Sequence, residues 1–414
     1  MARSLYAPTW MTDPSPPSAH PPFATELLRY GALALIVAVL AGSASALFLA
    51  VLHEASATFS AHPQLIWGLP LAGAATAWVY RLWGREVEGG NNLLIDEIHQ
   101  PQGVVPARMA PLILAATWVS HLFGASVGRE GTAVQMGGAL ADQLTHWFKL
   151  DAHRRRVVLQ AGVAAGFAAV FGTPLAGAVF ALEVITRGRL AHEALWPCLV
   201  AAFAADQVCA AWGIHHERTA VAAWLGWTPA AMGAVLLTGL ACGLMAWGFA
   251  RVAHGSGDAL QRALPDARLR AGIGGLVFAA AIVLSGGWAY TGLGTVGIDA
   301  ALRGGALPWD FAAKAAATLW CLCFGFKGGE VTPLFFIGAA LGGALEGPLH
   351  MPAGSLSALG FVAVFAGAAK TPLACTLMAM ELFGASLGIP AALACTLAFV
   401  ASGRASIYKA QRPG

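Results

Sequence analysis

The chain has 414 residues, of which 57% are hydrophobic and 11% are charged, and its mean hydropathy is +0.66. Soluble domains carry about 25% charged residues, so this composition excludes an ordinary soluble protein and indicates a polytopic membrane protein surrounded by a lipid bilayer. The net charge of +3 is too small to indicate a nucleic-acid partner. The 7 cysteines show no metal or disulfide spacing, so neither a metal nor a cofactor is expected.

The beginning of the chain predicts a flexible tail followed by two transmembrane segments. Residues 1–25 are rich in proline and polar residues, and no basic segment leads directly into an apolar core, so a cleaved signal peptide is not expected. Apolar runs at 27–52 and 65–82 are long enough to approach the length of about 20 residues that a spanning helix needs.

A short segment at 88–99 has an apolar run too short to cross a bilayer. Two glycines and two asparagines, Asn91 and Asn92, precede that run and favour a loop that enters a helix N-terminus. Asparagine amides beside free backbone N–H groups are suited to holding an anion. A capped surface helix is the alternative interpretation of this segment.

The stretch Gly128-Arg-Glu-Gly-Thr-Ala-Val-Gln-Met136 is the feature around which the chain is organised. It follows an apolar run at 109–123, opens a predicted helix at 132–148, and places Glu130 inside a long apolar region. A charged side chain in the hydrocarbon zone costs about 2.5–3.5 kcal/mol on insertion scales, so an acid there is a candidate functional residue.

The rest of the first half predicts a broken helix pair and a further span. The break falls at Gly172-Thr-Pro174, and Arg154-Arg-Arg156 marks a polar connector that the positive-inside tendency places in the cytoplasm. His215, His216 and Glu217 are expected to lie in a solvated loop, because a metal site there would need more ligands. The predicted apolar segments are 157–171, 175–185 and 192–212.

The second half predicts a polar connector at 253–270, a set of short apolar helices and a short tail at 409–414. Several of these helices are too short, or too interrupted by glycine and proline, to span a bilayer, which is typical of transporters. The predicted segments are 230–252, 271–284, 311–324, 332–345, 355–369, 373–383 and 390–401.

Two short motifs each occur twice in the sequence, which indicates that the chain contains a duplicated half. Gly-x-Glu-x-Thr occurs at 128–132 and again at 328–332, and Thr-Pro-Leu-Ala occurs at 173–176 and again at 371–374, both about 200 residues apart. The predicted halves are 26–213 and 230–408, joined by a connector at 214–229. The loop that matches the basic connector of the first half has no Lys or Arg, which favours an inverted repeat.

The two Gly-x-Glu-x-Thr motifs predict an anion site. Helix N-termini offer unpaired N–H donors and partial positive charge, which can replace the water that an anion loses in a membrane. The Glu130 carboxylate would compete with a free anion for these donors, and protonation would remove the competition. The pattern therefore favours anion/proton exchange.

Other candidate residues keep more than one interpretation when taken alone. Glu330 is a proton relay, a counter-ion or a helix cap, and Thr332 caps a helix or hydrogen-bonds one of the acids. Tyr408 after the last span has the position of an interfacial anchor.

Four further ionisable residues are assigned structural or peripheral roles. Glu183 and Glu381, nine residues after the repeated prolines, are expected to be mainly structural. Lys327 and Lys370 are expected to lie near helix ends and to extend toward the interface.

Three motifs in the same order resemble those of the CLC chloride channels and anion/proton antiporters. They are Gly-Arg-Glu-Gly at 128–131, the motif at 328–333 and the late Tyr408, and the resemblance covers about 26–408. It implies an all-α polytopic membrane fold of two inverted-topology repeats, with broken helices that meet at a central anion site. It also implies a multi-pass homodimer in the cell inner (plasma) membrane, with one anion path per subunit.

Four departures from the chloride-type pattern resemble the fluoride/proton antiporter branch of that family. Asn91 stands where the chloride-coordinating Ser is usual, and Thr132 replaces the Pro after Gly-Arg-Glu-Gly. The third motif lacks its Phe and contains Glu330, and Val184 stands where chloride antiporters carry an inner proton-handling acid.

The resemblance implies a role for each matching residue. Glu130 is the gating glutamate, Asn91 lies at the central anion site, Glu330 and Thr332 are the branch-specific pair that handles protons near the path, and the Tyr408 hydroxyl faces the anion. The predicted anion-binding set is completed by Gly128, Arg129, Gly131 and Val331.

The implied function is fluoride/proton antiport, which exports cytoplasmic fluoride in exchange for protons. Fluoride is small and strongly hydrated, so its site needs compact, strong donors such as amide N–H and hydroxyl groups. The alternative is a chloride/proton antiporter or a chloride channel of the same fold.

Two other classes of protein fit the sequence less well than a transporter. Gly124-Ala-Ser-Val-Gly128 with nearby His121 matches the short motif of a serine hydrolase, but that motif needs a strand-to-helix turn, and its flanks here are predicted helices. A purely structural scaffold does not explain paired intramembrane acids. The chain is therefore not expected to be an enzyme.

Overall fold

The computed structural model describes residues 23–101, 103–216, 226 and 228–414, and the described chain is mainly helical. The helices are α1 (Phe23–Ala61), α2 (Leu69–Val79), α3 (Asn91–His99), α4 (Met109–Leu122), α5 (Glu130–Trp147), α6 (Ala152–Phe171), α7 (Pro174–Glu183), α8 (Leu195–Ala211), α9 (Pro229–Ala263), α10 (Ala267–Ser285), α11 (Thr295–Leu302), α12 (Asp310–Phe324), α13 (Val331–Glu346), α14 (Ser355–Ala369), α15 (Pro372–Phe383) and α16 (Gly388–Ala401). Two strands, β1 (Thr186–Arg187) and β2 (Arg412–Pro413), pair in parallel.

Helices of two lengths build the fold. Segments within α1, α9 and α10, and the segment His192–Ala211 that contains α8, are long and apolar enough to cross a membrane. Other apolar helices, among them α4, α7, α13, α14 and α15, have only 10–17 residues and are shorter than the span of about 20 residues that a bilayer requires. The prediction of an all-α membrane protein with broken helices is confirmed.

The structure differs from the predicted elements at three places. Most of the connector expected at 253–270 is helical, because α9 continues to Ala263 and α10 begins at Ala267. Pro265 interrupts the helix, and the Asp266 side chain then caps α10 by accepting the Arg268 backbone N–H at 2.9 Å. α1 begins at Phe23, inside the expected tail, and α11 was not predicted.

Part of the predicted organisation lies outside the described residues. Residues 1–22 of the expected N-terminal tail, Glu217, and most of the expected connector at 214–229 belong to this part.

Glycine allows the central helices to pack with their backbones in contact. A Cβ at Gly166 on α6 would overlap the Ala133 carbonyl on α5, and a Cβ at Gly360 on α14 would overlap the Gly338 carbonyl on α13. Small residues give this close approach in membranes, where dispersion and hydrogen bonds replace the hydrophobic effect between helices. The same packing therefore supports α5 and α13, the two helices that begin at the repeated acid motifs.

Glu183 and Glu381 are reciprocal helix caps. Glu183 ends α7 and accepts the backbone N–H groups of Leu373 and Ala374, in the first turn of α15, at 3.1 and 2.9 Å. Glu381 on α15 accepts two N–H groups from the first turn of α7 at 3.0 and 2.9 Å. Each carboxylate thus satisfies unpaired donors of the opposite helix, and the structural interpretation of both acids holds.

A buried ionic triad joins α3, α5 and α6. The Arg155 guanidinium binds both carboxylate oxygens of Asp142 at 2.7 and 3.0 Å and one oxygen of Glu97 at 2.8 Å. Asp142 also accepts the Val105 backbone N–H at 2.6 Å. Arg155 was predicted to lie in a polar connector, but it belongs to the first turn of α6 and is buried with its two carboxylate partners.

The C-terminal residues are docked on the helices. The Gln411 amide donates to the carbonyl oxygens of Val184 at 2.7 Å and Ala369 at 2.8 Å, and β2 pairs with β1. The segment 409–414, predicted only as a tail, therefore closes over the end of α7.

The two lysines expected near helix ends differ in their surroundings. Lys370 is buried and its ammonium donates to Ser402 Oγ at 2.6 Å and the Gly403 carbonyl at 2.8 Å, so it does not extend to an interface. Lys327 is half-buried, and its Nζ lies 4.4 Å from the centroid of the Tyr80 ring.

Candidate functional site

The two repeated motifs meet at Gly128, the first residue of one motif, and Gly329, the second residue of the other. Gly128 and Gly329 exchange backbone hydrogen bonds as an isolated antiparallel bridge, and the Gly329 N–H donates to the Gly128 carbonyl at 2.8 Å. A Cβ at Gly128 would lie 2.9 Å from the Gly329 oxygen, so a larger residue would separate the two loops. The bridge brings the first turns of α5 and α13 together.

Glu130 occupies the point where these two helices converge. Its side chain is fully buried, and it accepts the Thr332 hydroxyl at 2.5 Å and the Thr332 backbone N–H at 3.0 Å. It also accepts the Arg129 backbone N–H at 3.2 Å and Arg129 Nε at 3.4 Å. One carboxylate therefore collects four donors of the kind that a dehydrated anion needs.

Several predicted residues shape this donor set without touching the Glu130 carboxylate. Val331 is buried and opens α13 directly before Thr332. Thr132 bonds the Thr117 hydroxyl at 2.7 Å, which fixes the first turn of α5 against α4.

Asn91 begins α3 beside the start of α5. Its Nδ2 would lie 3.0 Å from a Cβ placed on Gly131, so Gly131 leaves the space that the amide occupies. Its Oδ1 is buried and has no hydrogen-bond partner in the described part of the chain. Asn92 instead binds the Ala410 backbone N–H at 3.0 Å. The unpaired oxygen is an acceptor and does not bind an anion, so the donor that Asn91 offers to an anion is its Nδ2 group beside Gly131. Four side chains of α3 are buried, so the surface-helix alternative for this segment does not hold.

A cavity of about 370 Å³ approaches the site from one direction and is lined by Asn91, Glu330 and Tyr408 among others. Tyr408 is 4% exposed, so it is a buried residue of this cavity and not an interfacial anchor. Glu330 precedes α13 without capping it through its side chain, which removes the cap interpretation of this acid.

A second approach consists of two cavities on the Glu130 side. A cavity of about 300 Å³ is lined by Glu130, Arg129 and Thr332 together with Phe171, Phe335 and Phe361. An outer cavity of about 720 Å³ adjoins it at Arg129. In the described chain, neither shares a lining residue with the cavity of Glu330. The two acids therefore face two separate approaches.

The serine-hydrolase alternative is not supported by the geometry. Ser126 Oγ is buried and pairs with the Thr318 hydroxyl at 3.0 Å, whereas His121 Nδ1 pairs with the Thr117 carbonyl at 2.9 Å. The motif lies between helices α4 and α5, without the strand that such a turn requires. The described residues also contain no group of three or more His, Cys, Asp or Glu side chains placed to hold a metal.

Comparisons with known proteins agree with this architecture. The family described as "Voltage gated chloride channel" matches residues 71–403. A "Chloride/fluoride channel protein" of Pseudomonas syringae pv. tomato is 51% identical over 399 residues, which are 94% of this chain and 87% of that protein. A "Putative chloride channel protein ClcB-like" of Ralstonia nicotianae is 29% identical and is covered to 83%, against 82% of this chain.

Solved structures give the same result. The crystal structure of a CLC-type fluoride/proton antiporter superposes with a TM-score of 0.91 at 33% identity, covering 94% of this chain and 99% of that one. A slow cyanobacterial Cl⁻/H⁺ antiporter superposes with a TM-score of 0.80 at 19% identity, covering 92% and 96%, and shows the fold alone. These findings confirm the resemblance that the motifs indicated, and the chain belongs to the CLC family of voltage gated chloride channels and anion transporters.

Proposed function

We propose that this protein is a fluoride/proton antiporter that exports cytoplasmic fluoride in exchange for protons. The observation that carries the proposal is the Glu130 carboxylate, which fills a buried set of donors formed by Thr332 and Arg129. A free anion at this point needs the same donors, so the carboxylate and the anion exclude each other.

The exclusion supplies a mechanism of coupling. When Glu130 is ionised, it accepts the Thr332 hydroxyl and N–H and blocks the route between the cavities. Protonation removes its charge and one of its acceptor sites, which weakens its hold on these donors and frees them for an anion. Arrival of an anion then favours the protonated acid, and loss of the proton favours release of the anion.

The preference for fluoride is inferred from the donors near the path. Asn91, Thr332 and Tyr408 offer compact amide and hydroxyl donors, which suit a small and strongly hydrated anion. Val184 replaces the inner acid of chloride antiporters, and its carbonyl accepts the Gln411 amide at 2.7 Å. The relative from P. syringae is a chloride/fluoride channel protein and the superposed relative is a fluoride/proton antiporter, which supports the same preference.

We also propose the assembly and location that the family resemblance implies. The two halves, 26–213 and 230–408, form an inverted-topology repeat, which is supported by the reciprocal caps of Glu183 and Glu381. The protein is a multi-pass homodimer of the inner (plasma) membrane, its substrates are fluoride and protons, and it needs no cofactor.

The direct test is efflux from proteoliposomes that contain the purified protein, with fluoride and chloride electrodes used in parallel and proton uptake recorded. We expect fluoride efflux well above chloride efflux, with proton uptake that depends on fluoride. Equal rates for the two anions with proton uptake would support the alternative, a chloride/proton antiporter. Anion movement without proton uptake would indicate a channel.

Glu330→Gln is expected to slow proton uptake about tenfold or more while anion binding persists, because Glu330 lines the cavity opposite to Glu130 at the start of α13. The measurement is the ratio of protons to fluoride in the same proteoliposomes. Glu88→Gln is the matched control, since Glu88 is an exposed acid that lines the same cavity. An unchanged ratio in Glu330→Gln would show that this acid does not carry protons.

A further inference from the structure

The passage between the outer cavity and the Glu130 cavity is formed by three side chains. Arg129, His216 and Thr295 are the described residues that line both the cavity of about 720 Å³ and the cavity of about 300 Å³. An ion or proton that moves from the outer cavity to Glu130 passes a guanidinium, an imidazole and a hydroxyl group. We call these three residues the neck.

His216 is held in one orientation at the neck. Its Nε2 lies 3.0 Å from the Ala169 carbonyl oxygen at the end of α6. A carbonyl oxygen only accepts, so Nε2 carries the proton and Nδ1 is the basic nitrogen of the neutral ring. A Cβ at Gly172 would overlap the His216 ring, so this glycine leaves room for the imidazole.

The second ring nitrogen is free to take a proton. His216 is half-buried, and Nδ1 has no hydrogen-bond partner in the part of the chain that the structure describes. The cavity of about 300 Å³ that Glu130 lines has room for water molecules, each of which occupies about 30 Å³ in the liquid. A protonated imidazole there lies next to the cavity that Glu130 lines.

The pKa of the His216 imidazole is lowered from its usual value, and burial is the largest cause. Burial lowers the pKa of His216, and the Arg129 charge and His215 lower it further, while the hydrogen bond to the Ala169 carbonyl and the charge of Asp206 on α8 raise it. The remaining titratable residues that line the two cavities are Asp299 on α11 and His53 and Glu54 on α1.

We propose that His216 is a proton-transfer residue that serves Glu130 from the outer cavity. A proton from the outer solution adds to Nδ1 and forms the imidazolium. The same proton then passes along cavity water to a carboxylate oxygen of Glu130, which becomes neutral, and the imidazole returns to its starting tautomer. This inference rests on the proposed proton-coupled function and adds a second titrating group to it.

The test is the pH profile of His216→Gln in proteoliposomes, with fluoride efflux and proton uptake measured together. Glutamine keeps an N–H donor for the Ala169 carbonyl but cannot titrate. We expect the rate of coupled exchange to fall about tenfold and to lose its rise with falling pH on the outer side. Added imidazole is expected to restore part of the rate in His216→Ala, since a structural role would not respond to a free base.

His215→Gln is the matched control, because His215 is exposed, adjacent in the chain and lines the outer cavity but not the cavity of Glu130. It is expected to keep the rise of the rate with falling pH that the wild type shows. A His216→Gln profile equal to that of the wild type, in a wild type that couples fluoride to protons, would overturn the role of His216 alone. Absence of proton uptake in the wild type would overturn the proposed function and this inference with it.

Discussion

Glu130→Gln is expected to abolish proton-coupled exchange, with a fall in proton uptake of at least about a hundredfold. Glutamine has nearly the shape of the protonated acid but cannot release a proton. Its amide nitrogen also brings N–H groups toward a site where the wild-type carboxylate accepts the Thr332 hydroxyl and backbone N–H at 2.5 and 3.0 Å. The variant therefore favours the state in which the donors are open to an anion, and any anion movement that remains is passive.

The measurement is the number of protons taken up per fluoride released from proteoliposomes, at equal amounts of reconstituted protein. Glu54→Gln serves as the control, because Glu54 is an exposed acid of the outer cavity and makes no contact with the donor set. Normal coupled exchange by Glu130→Gln would remove the gating role, whatever the anion. Uncoupled anion movement by the same variant would fit the competition between the carboxylate and the anion.

Arg155→Met is expected to lower the free energy of unfolding by about 3–5 kcal/mol, because it leaves two buried carboxylates without their shared cation. Asp142 is fully buried and receives two of the three Arg155 hydrogen bonds, and Glu97 on α3 receives the third. α3 also carries Asn91, so the loss should weaken fluoride binding as well as stability.

The measurement is unfolding of the purified protein in detergent micelles, with fluoride affinity measured on the same samples. Arg156→Met is the matched control, since Arg156 is adjacent in the chain and exposed. Its substitution removes the same charge. Equal unfolding of the two variants would show that the triad contributes little to stability. Normal fluoride affinity in a destabilised Arg155→Met would show that the triad does not position Asn91.

The candidate site around Glu130 could be predicted from the sequence because its signals are local. An acid inside an apolar segment is rare in membranes, and Glu130 lies in a Gly-Arg-Glu-Gly motif that is repeated in part near Glu330. The apolar runs likewise predicted most of the short helices, since hydropathy and glycine or proline breaks are properties of neighbouring residues. The family followed from these motifs in their order.

Some predictions were wrong because they depended on contacts between helices. The three residues of Arg154-Arg-Arg156 look alike in the sequence, yet only the middle one, Arg155, binds both Asp142 and Glu97, which lie on two other helices. The segment 253–270 was predicted as a connector because it is polar. Most of it is helical, because many of its residues favour a helix whatever their polarity.

By itself, the sequence determined that the chain is a membrane protein, which family motifs it carries and that Glu130 is the main candidate residue. All three follow from short runs of consecutive residues. Only the tertiary structure decided which partners the ionisable residues have. Glu183 and Glu381 cap helices about 190 and 206 residues away in the chain, and His216 reaches the neck from a loop 86 residues after Glu130. Such pairings depend on how helices fold back on one another, because periodicity and composition record which face is apolar but not which residue lies opposite.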